Sequence, residues 1–553
     1  MITLEPGDVT AHRGVHRISR EFRLPVKLCR YSAKRGLCWA VLAVSMILAR
    51  VALLPLLPIP DPEIHDEFSY LLAADTFAHG RMSNPPLASP EFFESPHVLL
   101  TPAYASRYPP GQGLALAFGQ VVFGNPYWGV VLTTGLMIFL FCWAADAWLP
   151  PQWTLIAGGL AWILFFVRHY WFTSYWGGAL AACGGALVVG GLGRILNGSH
   201  GAPRFSLGAG AAVLFLTRPY EGGVLCLATL GILAVHTWRL RPAGKRTFLR
   251  SVLLPNTLLL AAVAPLAGWY NASVTGSALE LPYMVHARQY DSVPAFLVLP
   301  PYPEKQYFSD NNRASWMRAR EIYDRMRRLP LSSAVVLQSL WIFTSGIWLQ
   351  FLGFGFLLLA LPWARMHERK QWLVLLLGAW AAALAPELSP QGHYSAPFIS
   401  VHLILIVAAG RAMWYRVASV RRRAMVILPA LIFLFAPLGV SYAGAMRSGA
   451  TERGRFVRQL ESKGGNHLVF VEYSKGWDFV HEWVYNGADP GAGRVLFAHL
   501  RSDRENRQLM ERYPGRTIWM VRLGPELKDV QVKVYAEGLP LDVSSAAPAS
   551  QRP

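Results

Sequence analysis

Charge is what this sequence has least of. Only 15% of its 553 residues are Asp, Glu, Lys or Arg, against about 25% in soluble domains. With 53% hydrophobic residues and a mean hydropathy of +0.29, that deficit excludes an ordinary water-soluble enzyme. Acidic residues are scarcer than basic ones, 33 against 52. A net charge of +19 suits a nucleic-acid binder on count alone. The Lys and Arg residues instead gather beside apolar runs, the pattern that orients membrane helices, so no nucleic-acid partner is expected. Cysteine is sparse too: Cys29, Cys38, Cys142, Cys183 and Cys226 stand in or beside apolar segments, without metal-ligand spacing. That argues against disulfides and structural zinc. No small-residue cleavage site follows the first apolar run, where Pro55, Pro58 and Pro60 stand, so that helix reads as uncleaved. No internal repeat is evident.

Aromatic residues are abundant, with 20 Trp, 21 Tyr and 28 Phe, as in the interfacial belts of membrane proteins. A spanning helix needs about 20 mainly apolar residues. The runs 37–58, 127–148, 154–168, 178–195, 206–217, 222–237, 252–270, 345–364, 371–386, 396–413 and 424–443 qualify as candidates. Basic stretches mark the inner side: Arg13 to Arg35, Arg239 to Arg250, and Arg411 to Arg423, with weaker ones at Arg194–Arg204 and Arg365–Lys370. All fall on one side if 109–123 and 331–344 do not cross. The expectation is an α-helical polytopic membrane protein of about 11 crossings, with its N-terminus inside and its C-terminus outside. The cytoplasmic tail is 1–36, the membrane domain 37–443, and its main outer loops are 59–126 and 271–330. Residues 444–541 turn polar and mixed. HLVFVEY (467–473), VLFAHL (495–500), TIWMVR (517–522) and VQVKVY (530–535) read as strands, and 451–462 and 502–512 as helices. This predicts a small outer α/β domain that folds on its own, followed by a disordered tail at 542–553.

The candidate chemistry sits in the loops of one face. Asp66-Glu67 opens an amphipathic helix in the first outer loop. A carboxylate there can take a proton from a substrate that meets a lipid-embedded donor, or serve merely as a helix cap. Arg218, in Thr217-Arg218-Pro219-Tyr220-Glu221, joins two apolar runs. It suits a phosphate, or an ion pair with Glu221. His393 and Tyr394 precede a late helix and could bind a phosphate or an acceptor sugar. Tyr175 and Trp176 lie in an aromatic loop that either stacks on sugars or anchors the interface. Loop 271–330, with Arg288, reads as an acceptor platform or a solvated face. Asp61, Glu63, His65 and His97 would permit a divalent metal, which nothing in the sequence requires.

The order of these motifs resembles the GT-C superfamily of polyprenyl-phosphate-sugar glycosyltransferases, above all the protein O-mannosyltransferase and aminoarabinose transferase type. Four elements within 37–443 carry the resemblance. They are Asp66-Glu67-Phe68-Ser69-Tyr70, Arg107-Tyr108-Pro109-Pro110-Gly111, Thr217-Arg218-Pro219 and His393-Tyr394-Ser395-Ala396-Pro397. Thr217-Arg218-Pro219 stands where such proteins often have Thr-Lys-Gly. The resemblance implies Asp66 as base, Glu67 assisting at the acceptor, and a lipid-phosphate donor entering from the bilayer. Arg218, His393 and Tyr394 would meet the donor phosphate, and Tyr70, Arg107, Tyr108, Tyr175, Trp176, Tyr220, Glu221 and Arg288 the substrates. The departure is Ser174-Tyr175-Trp176-Gly177, which lacks the acidic residue common in the second outer loop and leaves metal use open. The expected partners are a polyprenyl-phosphate-linked sugar, a lipid, glycan or protein acceptor, and membrane lipids. A lipid or glycan transporter, or a non-catalytic assembly subunit, is the rival reading. The missing repeat and the gathering of polar residues in outer loops count against a transporter.

Overall fold

The computed structural model describes residues 34–168, 170–199, 205–330, 332–333, 336–337, 370–388, 391–416, 450–525, 529–536 and 539–542. Long apolar stretches make the helices and proline marks where many begin. Those described here are α1 (Arg35–Ala52), α2 (His65–Ala78), α3 (Pro110–Phe123), α4 (Tyr127–Asp146), α5 (Pro151–Ile163), α6 (Gly178–Leu196), α7 (Ser206–Phe215) and α8 (Pro219–Trp238). They continue with α9 (Pro242–Thr275), α10 (Pro282–Gln289), α11 (Asp310–Arg327), α12 (Gln371–Leu384), α13 (Ile399–Arg416), α14 (Glu452–Lys463) and α15 (Asp503–Arg512). Proline opens α3, α5, α8, α9 and α10, where its missing N–H costs nothing and its fixed φ suits the first turn.

Among the described residues six helices are long and apolar enough to cross a membrane: α1, α4, α6, α8, α9 and the run His393–Ala412. Three shorter apolar helices, at Pro151–Phe166, Ser206–Phe215 and Gln371–Leu384, fall at other expected crossings. The chain is thus a polytopic helical membrane protein. The expected crossings at 345–364 and 424–443, the segment 338–344, most of the basic tail, the Arg421–Arg423 run and the tail after 542 lie outside the described residues.

Helix α6 is the centre of the bundle. Its Gly-rich sequence lets backbones approach closely, as membrane packing favours. Gly184 faces the Gly210 carbonyl of α7, and Gly190 lies under Trp143 of α4. At one end Asp146 pairs with Arg35 at 3.2 Å and with Arg194 at 3.8 Å. At the other end loop 59–126 and the C-terminal sheet come together. Helix α3, expected to lie along the membrane without crossing it, is 14 residues long. Its Leu114, Phe118, Val121 and Val122 are all exposed on one stripe, an apolar face that suits lipid.

A ribbon pairs β1 (Val98–Leu99) with β2 (Ala105–Ser106). The C-terminal strands are β3 (Asn466–Tyr473), β4 (Val495–His499), β5 (Arg516–Leu523), β6 (Val530–Ala536) and β7 (Leu539–Asp542). Their order is β4-β3-β5-β6-β7, with β3 parallel to both β4 and β5 and the remaining pairs antiparallel. Thr451 and Ser502 cap α14 and α15, their hydroxyls accepting from Gly454 N at 3.0 Å and Glu505 N at 3.4 Å.

The sheet shares a buried core with loop 59–126. Its one face packs Leu468, Phe470 and Leu496 against Phe68, Leu72, Phe92 and Tyr104 of loop 59–126. Phe68 stacks on Tyr485 at 4.6 Å. Arg453 lies over Phe68 and donates to the carbonyls of Trp483 (3.0 Å) and Tyr485 (2.9 Å). Asp61 pairs with Arg458 at 2.7 Å and accepts from Thr451 N at 3.0 Å. The segment His481–Asp489 is therefore a packed turn, with Trp483, Val484, Tyr485 and Ala488 buried.

Candidate functional site

Helix α2 begins at His65 because Glu67 satisfies its open N-terminus. Glu67 Oε2 accepts from the backbone N–H groups of Glu63 and Ile64, each at 3.0 Å. Its Oε1 accepts from Tyr175 N, also at 3.0 Å. Burial pushes the Glu67 carboxyl up to about 7, against three backbone donors that favour its charged form. With both oxygens engaged, Glu67 ties the start of α2 to the loop that carries Tyr175.

Asp66, one residue earlier, points the other way. Tyr108 Oη–H donates to its Oδ1. His65 Nδ1 lies 2.8 Å from Oδ2 and His97 Nε2 3.8 Å away. Burial raises the Asp66 carboxyl. The charges of His65 and His97 and the hydrogen bonds from His65 and Tyr108 outweigh it and hold Asp66 well below the usual carboxylate range. His97 is the one described non-glycine residue in the left-handed region, at φ 64°, a conformation that concentrates at functional sites. Ser69 Oγ–H (2.7 Å) and Arg107 N–H (3.1 Å) both donate to its carbonyl and hold it there. His65, Asp66 and His97 offer ligand atoms within 4.8 Å of one another, a donor set of the kind that holds a divalent ion.

Arg218 arrives from the turn between α7 and α8. Its guanidinium lies over the Tyr394 ring at 5.0 Å and 3.6 Å from Glu221. The charges of Arg218 and Asp66 converge on shared tyrosines. Burial raises the Tyr70 phenol, which Arg218 pulls down and Asp66 pushes up. Burial likewise raises Tyr283, against Arg107 and Arg218 and with Asp66. Tyr70 stacks on Tyr108 at 4.3 Å, and Tyr283 meets Tyr108 edge-on at 5.4 Å. Arg107 sits over Tyr283 at 4.7 Å, with Asp291 at 3.7 Å and His286 Nδ1 at 3.3 Å. Near Arg218 stands Glu387. Burial, with Glu221 adding to it and Arg218 opposing, pushes its carboxyl up to about 8.

The structure thus brings together Asp66, Tyr70, Arg107, Tyr108, Arg218, Glu221 and Tyr394. His393 is one step removed: its Nδ1 is 2.8 Å from the Tyr170 hydroxyl and its ring 5.1 Å from Trp176. Tyr170 itself feels both Arg218 and Asp66. Tyr175 is buried, its hydroxyl donating to Pro60 O at 3.0 Å, and Tyr220 donates to Ala383 O at 2.8 Å. Both hold loops together. Arg288 is exposed and paired with Glu280, on the rim and not among the clustered residues. Tyr283, Tyr170, His286 and Glu387 are site residues that sequence reasoning missed. No local signal marks them, because only the return of three separate loops gathers them.

No family model matches the chain, and no curated protein matches it by sequence. Solved structures do match. The apo ArnT of Cupriavidus metallidurans superposes with a TM-score of 0.52 at 15% identity, over 88% of this chain and 92% of that one. The same protein bound to undecaprenyl phosphate gives 0.51 at 14%, over 88% and 93%. The apo oligosaccharyltransferase of Archaeoglobus fulgidus gives 0.45 at 12%, over 89% and 69%. At such identity the likeness is one of architecture: the chain has the membrane fold of ArnT.

Proposed function

We propose that this protein is a membrane glycosyltransferase that moves a sugar from a polyprenyl-phosphate donor to an acceptor hydroxyl on the outer face. One observation carries the reading. Asp66 accepts from Tyr108, which packs on Tyr70 and Tyr283, and Arg218, 152 positions away by numbering, is near enough to oppose the upward shift of both those phenols, inside a fold whose ArnT counterpart has been captured with undecaprenyl phosphate. A base and a phosphate-binding cation close to one another are what this transfer needs.

The acceptor oxygen attacks the anomeric carbon from the side opposite the phosphate. The bond from that carbon to the phosphate oxygen breaks, its electron pair leaves on polyprenyl phosphate, and the configuration inverts. The acceptor proton passes to Asp66, which Tyr108 and His65 orient. Arg218, flat on Tyr394, meets the phosphate charge as it develops. Glu221 fixes Arg218 from behind. Glu387, with its carboxyl at about 8, stays neutral at pH 7 and leaves the guanidinium charge available. His65, Asp66 and His97 are the residues that would hold a divalent ion, which would supply further charge beside the acceptor oxygen.

The test is single-turnover transfer from an undecaprenyl-phosphate sugar by purified protein in lipid. Asp66→Asn keeps size and polarity and removes the proton acceptor. Transfer should fall by about 100-fold or more while donor binding persists. Turnover near that of the unchanged protein overturns the assignment.

A further inference from the structure

Helix α11 and the C-terminal sheet enclose a cleft of about 760 Å3 beyond the site described above. One wall is the carboxyl end of β3, Val471 through Phe479, together with His499–Arg501 at the end of β4. The other is Ser309, Asn311, Ser315 and Arg318 at the start of α11. The placement has a topological cause. Strand β3 is flanked by β4 on one side and β5 on the other, both parallel to it. The chain therefore leaves β3 in one direction and returns on the other side. Open parallel sheets bind ligands in the crevice at the carboxyl ends of such strands.

The lining says what kind of ligand fits. Asn311 Nδ2, Ser474 Oγ and Trp477 Nε1 are buried, with no hydrogen-bond partner among the described residues. Buried polar atoms are nearly always paired, so three orphans on one cleft point to a missing partner. All three are neutral. Beside them lie aromatic rings, Trp477 and Tyr473 with centroids 5.9 Å apart, and Phe308 and Phe479. Of the charged side chains of the lining, Glu472 is paired with Arg522 at 2.8 Å, Arg501 with Glu505 at 3.0 Å, and Asp478 caps the turn that follows it, accepting from Val480 N at 3.2 Å, while Asp310, Arg318 and Lys475 are exposed. Neutral donors beside aromatic faces suit a hydroxyl-rich, uncharged ligand, a carbohydrate. One lining residue also packs beside Asp66. The Phe479 ring stacks on His65 at 5.3 Å, and His65 lies 2.8 Å from Asp66.

We propose that the cleft between α11 and the carboxyl ends of β3 and β4 is a glycan-binding arm of the acceptor site, taking neutral sugar units adjoining the hydroxyl that Asp66 serves. The proposal rests on the glycosyltransferase reading only for the word acceptor; glycan binding in the cleft stands without it.

The experiment measures binding, not turnover. Purified full-length protein in lipid nanodiscs is applied to an array of neutral and anionic microbial oligosaccharides. The best-bound glycan is then titrated against the unchanged protein and against Ser474→Ala, Asn311→Ala, Trp477→Phe, a Lys475→Glu/Arg318→Glu pair, and Asp66→Asn. A neutral glycan should bind, and each of the first three variants should weaken it about tenfold or more with the melting temperature kept. The charge-reversed pair, on exposed residues, should change affinity less than threefold, and Asp66→Asn should bind normally. Absence of any bound glycan, or a bound glycan indifferent to Ser474→Ala and Asn311→Ala, overturns the proposal. So does an anionic glycan lost in the charge-reversed pair alone. Should Asp66→Asn transfer sugar normally while the cleft variants still lose the glycan, the catalytic assignment fails and the cleft assignment stands.

Discussion

At the residue scale, two carboxyls, those of Glu221 and Glu387, lie within the field of one guanidinium, that of Arg218. Glu221 is 3.6 Å from it. Glu387 is also within its field, but burial and the neighbouring Glu221 hold its carboxyl at about 8. For an acid raised in this way, the neutral form is favoured at low pH and is lost as pH rises through the folded value. Below about 8, then, Glu387 is protonated and Arg218 keeps charge for a phosphate. Above it, a second carboxylate claims that charge. The expected outcome is a donor KM that rises between pH 7 and 9 in the unchanged protein and stays level in Glu387→Gln. A rise that persists in Glu387→Gln would remove Glu387 from this role. Arg218 itself offers a sharper test. Arg218→Ala should slow transfer by about 100-fold, the scale of losing a charge-stabilising donor. Arg218→Lys should recover only part of it, because an ammonium cannot replace the planar fork stacked on Tyr394. Equal rates for Lys and Arg would show that a point charge suffices.

At the element scale, two glycines set where the site residues stand. Gly111 N donates to Leu216 O at 2.7 Å, which locks the start of α3 onto the turn that presents Arg218. A Cβ on Gly111 would lie 2.6 Å from that oxygen and from Thr217 Cγ2. A Cβ on Gly185 of α6 would run into the Pro397 carbonyl, in the turn that carries His393 and Tyr394. Gly111→Ala should therefore cost at least tenfold in kcat with the protein still inserted, since misplacement of about 1 Å can cost 100-fold. Transfer kinetics beside a thermal melt check this, and unchanged kcat would detach Gly111 from the site. These contacts also mark what the sequence made legible. The helices follow from apolar runs and their punctuation, and α2 follows from Asp66-Glu67 ahead of an amphipathic stretch. Asp66, Tyr108, Arg218 and Tyr394 could be named in advance because each stands beside a membrane boundary with an unusual side chain. The role of Glu67 could not, because its three N–H partners include Tyr175, 108 residues away. Nor could Tyr283 or Glu387 be picked out, since ordinary loop residues become site residues only when the chain returns.

At the scale of the whole molecule, one shared core decides more than any single loop. Helix α2 reads as amphipathic in the sequence, but Phe68, Ser69, Tyr70, Leu72, Ala73 and Ala74 are buried right round it. Its cover is in part the C-terminal sheet, through Phe68 and Leu72 against Leu468, Phe470 and Leu496. Sequence periodicity shows that a face is apolar and says nothing of what lies on it. The shared core has two consequences. First, loops 59–126 and 271–330 and residues 450–542 must lie on the same side of the bilayer, and the exposed Arg239, Arg241, Lys245 and Arg246, after α8 and in the first turns of α9, mark the other. We expect all of the first group outside. A single cysteine at Lys475 or Leu279 should then react with an impermeant maleimide in intact cells, and one at Lys245 only after permeabilisation. Opposite labelling at Lys475 and Leu279 would break the shared-side argument. Second, the site depends on the sheet for its stability. Arg453 is buried over Phe68 and holds two carbonyls of the sheet's packed turn. Burial lowers its guanidinium to about 10, against nearby Tyr473, Tyr485, Glu482 and Asp61, so it stays charged at neutral pH. Arg453→Ala leaves both carbonyls without a donor and opens a void beside Phe497. The cost should be about 2–4 kcal/mol, read as a lower melting temperature and as faster proteolysis of loop 59–126. Because α2 carries Asp66, transfer should fall along with it and recover in conditions that restore folding. A variant that melts earlier with loop 59–126 still protected would mean that the sheet and the catalytic helix fold separately.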